Sequence, residues 1–269
     1  MVERDPAGVL AGVLGWEGAS VERMSGGLTN KTYRVSVDGR IGVLKIDQGG
    51  RQLPFNTRFA EAQIQNRAAE EGLAAPVIVA DNGVYLTEYV AGVVWTPAKL
   101  SQDSSLDLLG ASLRKLHSLP LTGRAFDAAT AASQYAQRIV DLDNSVVSLC
   151  LNQIVGIRMP QILCCCHNDL VAENIIATPD LKFLDWEYAC DNHPLFDLAT
   201  VVEHHKLNDI QTMRLLDAYF DSGGASWLES LETYRGAYLA LLCLWMAYQA
   251  DYDVNELDRV VARITTNYS

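Results

Sequence analysis

The segment CHNDLVAENIIATPDLKFLDWEYA, Cys166 to Ala189, packs His167, Asp169, Glu173, Asn174, Asp185 and Glu187 into one short stretch. Acids at that density repel one another, so the stretch implies a cation to be held. Asn174 precedes and Asp185 follows two short apolar runs, Ile175–Ala177 and Leu181–Leu184, that read as an antiparallel hairpin. The two side chains then meet at one end of it. One carboxylate and one amide are the oxygen donors that magnesium takes while keeping several of its waters. Asp169, on the preceding loop, is placed to act on an acceptor hydroxyl. A metal for the phosphates, a base or orienting group and close alignment are what phosphoryl transfer from ATP asks of a protein. The plainer alternative, solvated loop acids, has residue type and spacing against it.

A phosphate end must accompany these groups. In SGGLTNKTYRV, Ser25 to Val35, Gly26 and Gly27 sit between two strand-like runs, where backbone N–H groups can wrap phosphate oxygens. An ordinary hairpin turn fits the same two glycines. The run is neither a Walker loop nor a full GxGxxG. Ser25, Gly26, Gly27 and Asn30 are the candidate contacts. Lys45 stands in the apolar strand VLKI, out of place unless its ammonium has a partner. Glu61 follows on a helical segment, and a strand lysine paired with a helix glutamate holds phosphate oxygens in kinase-like folds. Read alone, both residues equally fit solvated faces.

The elements that position these residues change character along the chain. VERMSGG, NKTYRVSV, RIGVLKI, APVIVA and GVYLTEYV read as strands, with Asp38-Gly39 turning between the second and third. Residues 57–71 have helical composition, and Gly72 supplies a stop. AGVVWTP is a connector. Beyond it, Asp103–Leu119, Ala128–Leu151, Leu195–Phe220 and Trp227–Tyr252 carry apolar residues at helical spacing. The expectation is an α+β chain of two lobes. A small antiparallel sheet lobe, residues 1–90, binds nucleotide, and a larger mainly helical lobe, 91–269, holds the catalytic loop and acceptor site.

With 269 residues, 49% hydrophobic and 20% charged, the chain has the make-up of an ordinary folded protein. A net charge of −12 argues against nucleic acid or an anionic membrane as partner. No stretch approaches the roughly 20 apolar residues of a membrane span. MVERDPAGVLAGVLGWEG lacks the basic start of a leader, so a cytoplasmic location is expected. Cys150, Cys164, Cys165, Cys166, Cys190 and Cys243 include no CxxC pair and read as buried, reduced thiols. His193, His204 and His205 show no metal-ligand spacing that the acids do not explain better.

HNDLVAEN matches the HxDxxxxN catalytic loop of the choline kinase and aminoglycoside phosphotransferase families, and FLDWEYA resembles their following metal-binding segment. The likeness runs from about Ser25 to Tyr252. It implies a protein-kinase-like fold using ATP and Mg2+. It implies Asp169 as base, Asn174 and Asp185 as metal ligands, and Lys45 with Glu61 as the phosphate-holding pair. It also implies that Glu88-Tyr89-Val90 is the connector whose backbone meets adenine, Glu88 and Val90 being the contacts. Asp197 in LFDLA resembles the acid that braces the catalytic loop, and His117 in LRKLHSLP resembles a satisfied histidine at a helix end.

Among these families the bacterial choline kinases are most similar, over SGGLTNKTY, HNDLVAEN, DWEYACDNHPLFDLA and LWMAYQA. A quaternary ammonium donates no hydrogen bond and is best held by aromatic faces and a carboxylate. The resemblance points to Tyr188 and Trp245 as cage residues and Glu203 as the acceptor-side acid, with Tyr248 near. On sequence alone Trp245 fits ordinary core. Leu242 stands where choline kinases often carry a second tryptophan. The implied activity is phosphorylation of a small cationic alcohol, choline or ethanolamine first. Thiamine, an aminoglycoside, or a non-catalytic nucleotide-binding role are the alternatives.

Overall fold

The computed structural model describes residues 4–24, 30–47, 57–81, 83–155, 157, 162–249 and 253–268. The chain divides into two compact units, Met1–Trp95 with Glu173–Ala189, and Thr96–Ala172 with Cys190–Ser269.

The first unit opens with α1 (Pro6–Leu10), β1 (Ser20–Arg23), β2 (Asn30–Val37), β3 (Arg40–Asp47) and α2 (Arg58–Glu70), followed by β4 (Val77–Asp81), β5 (Val84–Glu88) and β6 (Val93–Val94). The sheet runs in the order β1-β2-β3-β5-β4, antiparallel throughout. Asp38 and Gly39 make the expected two-residue turn, both at positive φ, as strand twist demands of so tight a hairpin. Side-chain alternation along β3 sends Leu44 and Ile46 into an apolar cluster with Leu10, Trp16, Tyr33, Val35, Val84 and Leu86. Lys45 and Asp47 therefore leave from the opposite face. Thr57 caps α2 through its hydroxyl, and Gly72, at φ 75°, lies just past its end.

The acidic hairpin's strands, β8 (Ile175–Ala177) and β9 (Leu181–Phe183), belong to this unit. β6 pairs with β8, Trp95 N–H donates to Ile175 O at 2.8 Å, and Phe183 N–H donates to Leu73 O at 2.7 Å. The boundary thus differs from the sequence-based division at residue 90. The connector segment supplies a strand, and backbone hydrogen bonds tie the hairpin to the sheet unit.

The second unit holds α3 (Pro97–Leu100), α4 (Asp103–His117), α5 (Ala128–Ala136), α6 (Asn144–Val155), β7 (Cys164–Cys166), β10 (Cys190–Asn192), α7 (Pro194–His204), α8 (Asp209–Phe220), α9 (Leu228–Tyr248) and α10 (Val254–Tyr268). α9 buries Leu231, Ala237, Leu239, Ala240, Cys243 and Leu244, so it is apolar on most of its circumference and central to the packing. Two predicted helices divide. Ala128–Leu151 breaks before Asp143, whose carboxylate accepts from Ser145 N–H. Leu195–Phe220 breaks at Lys206, at φ 54°, and restarts at an Asn208–Gln211 capping box. Among the described residues no helix is long and apolar enough to cross a membrane.

Candidate active site

In the first unit, Lys45 Nζ donates to Asp185 Oδ1 at 2.7 Å. Burial alone would pull the ammonium's pKa down. The charges of Asp185, Glu61 and Glu187 outweigh it and hold Lys45 above its ordinary value, so it stays a cation. Asp185 itself has φ 60° and ψ 70°, a left-handed backbone rare outside glycine. Aspartate tolerates this conformation better than most residues, and it sets the direction in which the chain leaves β9. Ile175 pairs with Phe183, and Leu184 N–H donates to Asn174 O at 2.8 Å, so Asn174 and Asp185 flank the same end of the hairpin. Their hard oxygen donors suit magnesium.

The expected Lys45–Glu61 pair is not a direct hydrogen bond. Glu61, 1% exposed, accepts instead from Arg58 Nη1 at 2.6 Å. Arg58 also donates to Asp47 Oδ1 at 2.6 Å and lies 5.2 Å from the centroid of the Tyr85 ring. Glu61 Oε1 is buried with no hydrogen-bond partner among the described residues. Burial raises its carboxyl above the usual range, against the pull of Arg58 and Lys45. Glu61 thus acts on Lys45 through charge, with an acceptor oxygen in reserve.

Ser25, Gly26 and Gly27 lie outside the described residues. Asn30 opens β2. Glu88, exposed, ends β5, and Tyr89 N–H donates to Ile41 O at 3.0 Å, after which Val90 follows half-buried.

In the second unit, Asp169 sits on the loop after β7, and the brace expected at Asp197 is present. Its two carboxylate oxygens accept from His167 N–H at 2.9 Å and Asn168 N–H at 2.7 Å. Asn168 takes a positive φ of 63°, and its amide oxygen accepts from Asn192 Nδ2 at 2.8 Å. Three hydrogen bonds, two to backbone N–H and one to the Asn168 side chain, thereby hold the residues immediately before Asp169. His117, the satisfied histidine, bonds Asp197 Oδ2 through Nε2 at 3.0 Å and Tyr219 OH through Nδ1 at 2.7 Å. Burial works against its charge, but the bonds to Asp197 and Cys164 prevail and raise the imidazolium's pKa to about 9. Cys164 moves oppositely. The Cys166 hydrogen bond, opposed by burial and helped by His117, lowers that thiol to about 6.

The expected acceptor residues fall differently. Tyr188 is half-buried in a short turn of the first unit, Trp186–Tyr188. Trp245 is half-buried on α9. Glu203, 1% exposed near the end of α7, is an ion-pair acceptor for Arg235 of α9 and Arg263 of α10. Both of its carboxylate oxygens are engaged. Tyr248 packs against Tyr135, ring centroids 5.4 Å apart, and Arg138 lies 5.8 Å from the Tyr248 centroid while its Nη1 donates to the Tyr248 hydroxyl at 3.1 Å. A cation of the protein already uses that ring.

Tyr238, Arg235 and Arg263 escaped the sequence reading. Tyr238 is buried, bonds His204 Nδ1 at 3.1 Å, and lies near enough to Asp169 for that charge, after burial, to raise its phenol pKa. It stands two helical turns before Trp245 on one face of α9, with Leu242 between them, a spacing that was there to be read. The arginines carried no local signal.

A family model described as the phosphotransferase enzyme family matches residues 20–237. The chain belongs to that family. It is 31% identical over 207 residues to Protein LicA of Haemophilus influenzae, covering 72% of this chain but 61% of that relative's length. Among solved structures, a choline/ethanolamine kinase family protein from Mesorhizobium loti superposes with a TM-score of 0.76 at 27% identity, covering 96% of this chain and 91% of the other. Choline kinase LicA from Streptococcus pneumoniae also superposes at 0.76, with 23% identity and coverage of 92% and 94%. The antiparallel sheet unit and mainly helical remainder are the kinase-like fold of these structures.

Proposed function

We propose that the protein transfers the terminal phosphoryl group of ATP to the hydroxyl of a small cationic alcohol, choline or ethanolamine first. The observation that carries this reading is the Lys45–Asp185 contact, with Asn174 at the same end of the hairpin. Magnesium, bound by Asn174 and Asp185, would neutralise phosphate charge. Lys45 would hold phosphate oxygens, and Glu61, buried and acting on Lys45 through charge, would help keep its ammonium a cation there. Ser25, Gly26, Gly27 and Asn30 would meet phosphates, and the backbone at Glu88 and Val90 the adenine. Asp169 would accept the hydroxyl proton of the acceptor as the new P–O bond forms and the bond from the terminal phosphorus to the β–γ bridging oxygen breaks, releasing ADP. Asp197 keeps the loop backbone rigid while it does so. Tyr188 and Trp245, the aromatic residues that the resemblance points to, would each offer a ring face to the cationic head. Glu203, its two oxygens bound to Arg235 and Arg263 and its charge balanced by them, would serve the acceptor side by fixing α9, the helix that carries Trp245.

A second reading is thiamine. It is favoured by the engagement of Tyr248 with Arg138 and by Leu242 in place of a second tryptophan, which together leave a thinner cage. ADP release measured side by side with choline, ethanolamine, thiamine and kanamycin tests both readings. Choline or ethanolamine should give the highest kcat/KM. Turnover with kanamycin alone would make this an antibiotic-modifying enzyme, and silence across the panel would leave a nucleotide binder.

A further inference from the structure

We propose that Cys164, Cys166 and His117 form a buried site for a thiophilic divalent cation of the zinc class, at the root of the loop that carries Asp169. Residues 164 and 166 alternate with 165 along β7 and so share one side of the strand. Their sulphurs are 3.5 Å apart, and Cys166 Sγ is 3.8 Å from His117 Nε2. All three ligand atoms lie within 4.8 Å of one another. A tetrahedral zinc ion with metal–sulphur bonds of about 2.3 Å holds two sulphurs about 3.8 Å apart, so an ion fits with shifts of a few tenths of an ångström. The carbonyl oxygen of Asn192, 3.6 Å from Cys164 Sγ and 3.5 Å from Cys166 Sγ, is an oxygen donor beside both sulphurs.

The surroundings also suit a ligand histidine. Metal-bound imidazoles usually engage their second nitrogen with a fixed partner, which sets the tautomer. His117 Nδ1 is 2.7 Å from Tyr219 OH, and Nε2, which bonds Asp197 Oδ2 at 3.0 Å and lies 3.8 Å from Cys166 Sγ, is the nitrogen a metal would take. Binding replaces the Nε2–Asp197 bond, and the thiol and imidazolium protons leave to solvent without any change of oxidation state. Asp197 keeps its bonds to His167 and Asn168 N–H. The cation would therefore remove one of three groups that hold the brace of the catalytic loop. Cys165 points the other way, and Cys150 and Cys243 lie on α6 and α9, so none of these takes part.

Cobalt(II) titration of the reduced full-length protein tests the site. One equivalent should produce thiolate-to-cobalt charge transfer in the near ultraviolet, reversed by zinc. Cys164→Ser and Cys166→Ser should each lose that absorption, whereas Cys165→Ser and Cys150→Ser should keep it. X-ray absorption on the zinc-loaded wild-type chain, which needs no substitution, should show two sulphurs and one imidazole nitrogen. Absence of charge transfer in the wild type, its survival in the Cys164→Ser/Cys166→Ser double variant, or a zinc shell of oxygen and nitrogen alone would overturn the proposal.

Discussion

Lys45 and Asp185, 140 residues apart in the chain, neutralise one another directly through a 2.7 Å bond between Nζ and Oδ1. Their side chains are 16% and 33% exposed, so each charge is shielded from water only in part and the pair is worth about 1 kcal/mol. Urea denaturation of Lys45→Met, Asp185→Asn and the double variant should return a coupling of that size, the double change costing less than the two singles summed. In calorimetry, Asp185→Ala should abolish magnesium-dependent nucleotide binding. Unchanged binding would remove its ligand role.

Asp169 needs only its carboxylate to accept a proton, and the loop backbone before it is held by Asp197 and Asn192. Asp169→Asn should therefore lower kcat by ~10²–10⁴-fold. Thermal unfolding should barely move. A variant retaining most of its rate would show that Asp169 is not the base.

His117 makes stability depend on pH. Its folded pKa of about 9 lies above the ordinary value of 6.5, so the folded state binds the extra proton. The stabilisation is complete below pH 6.5 and lost as pH rises through 9. For a buried group it amounts to a few kcal/mol, on the order of 1.4 kcal/mol per pKa unit. Across that window the wild-type denaturation midpoints should fall relative to those of His117→Asn, in which the lowered Cys164 thiol still titrates with the opposite sign. Parallel slopes in the two proteins would contradict the assignment.

Glu203 separates structure from acceptor recognition. Removing its charge takes from Arg263 its acidic partner among the described residues, while Arg235 keeps Glu232, so Glu203→Gln should cost about 3 kcal/mol in chemical denaturation. The choline KM of the surviving folded enzyme should rise only a few-fold, because the carboxylate is already balanced by its arginines and does not reach the acceptor. A large loss of kcat/KM with unchanged stability would instead make Glu203 a direct contact.

Legibility in the sequence followed locality. The β3 alternation, the Asp38-Gly39 turn and the paired ends of the acidic hairpin were readable because each is decided by neighbours in the chain. The break between α7 and α8 was readable too, since NDIQ is a capping box, but the apolar periodicity on either side masked it. The partners of Glu203 were not readable. They come from positions 32 and 60 residues away, and no pattern links them. Glu61 shows the same limit from the other direction. Its residue type suggested Lys45, whereas Arg58, one helical turn earlier, takes its hydrogen bond. The cysteines were judged on sequence spacing, which hid the approach of His117 from a distant helix.

The most direct test of the central claim is phosphorus-31 NMR of the protein with ATP, magnesium and choline. The account predicts that the terminal phosphate signal of ATP gives way to a phosphomonoester and ADP in equal amounts, and that Asp169→Asn slows the conversion by ~10²–10⁴-fold. ATP left intact, or split to inorganic phosphate with no ester formed under any acceptor of the panel, would contradict it.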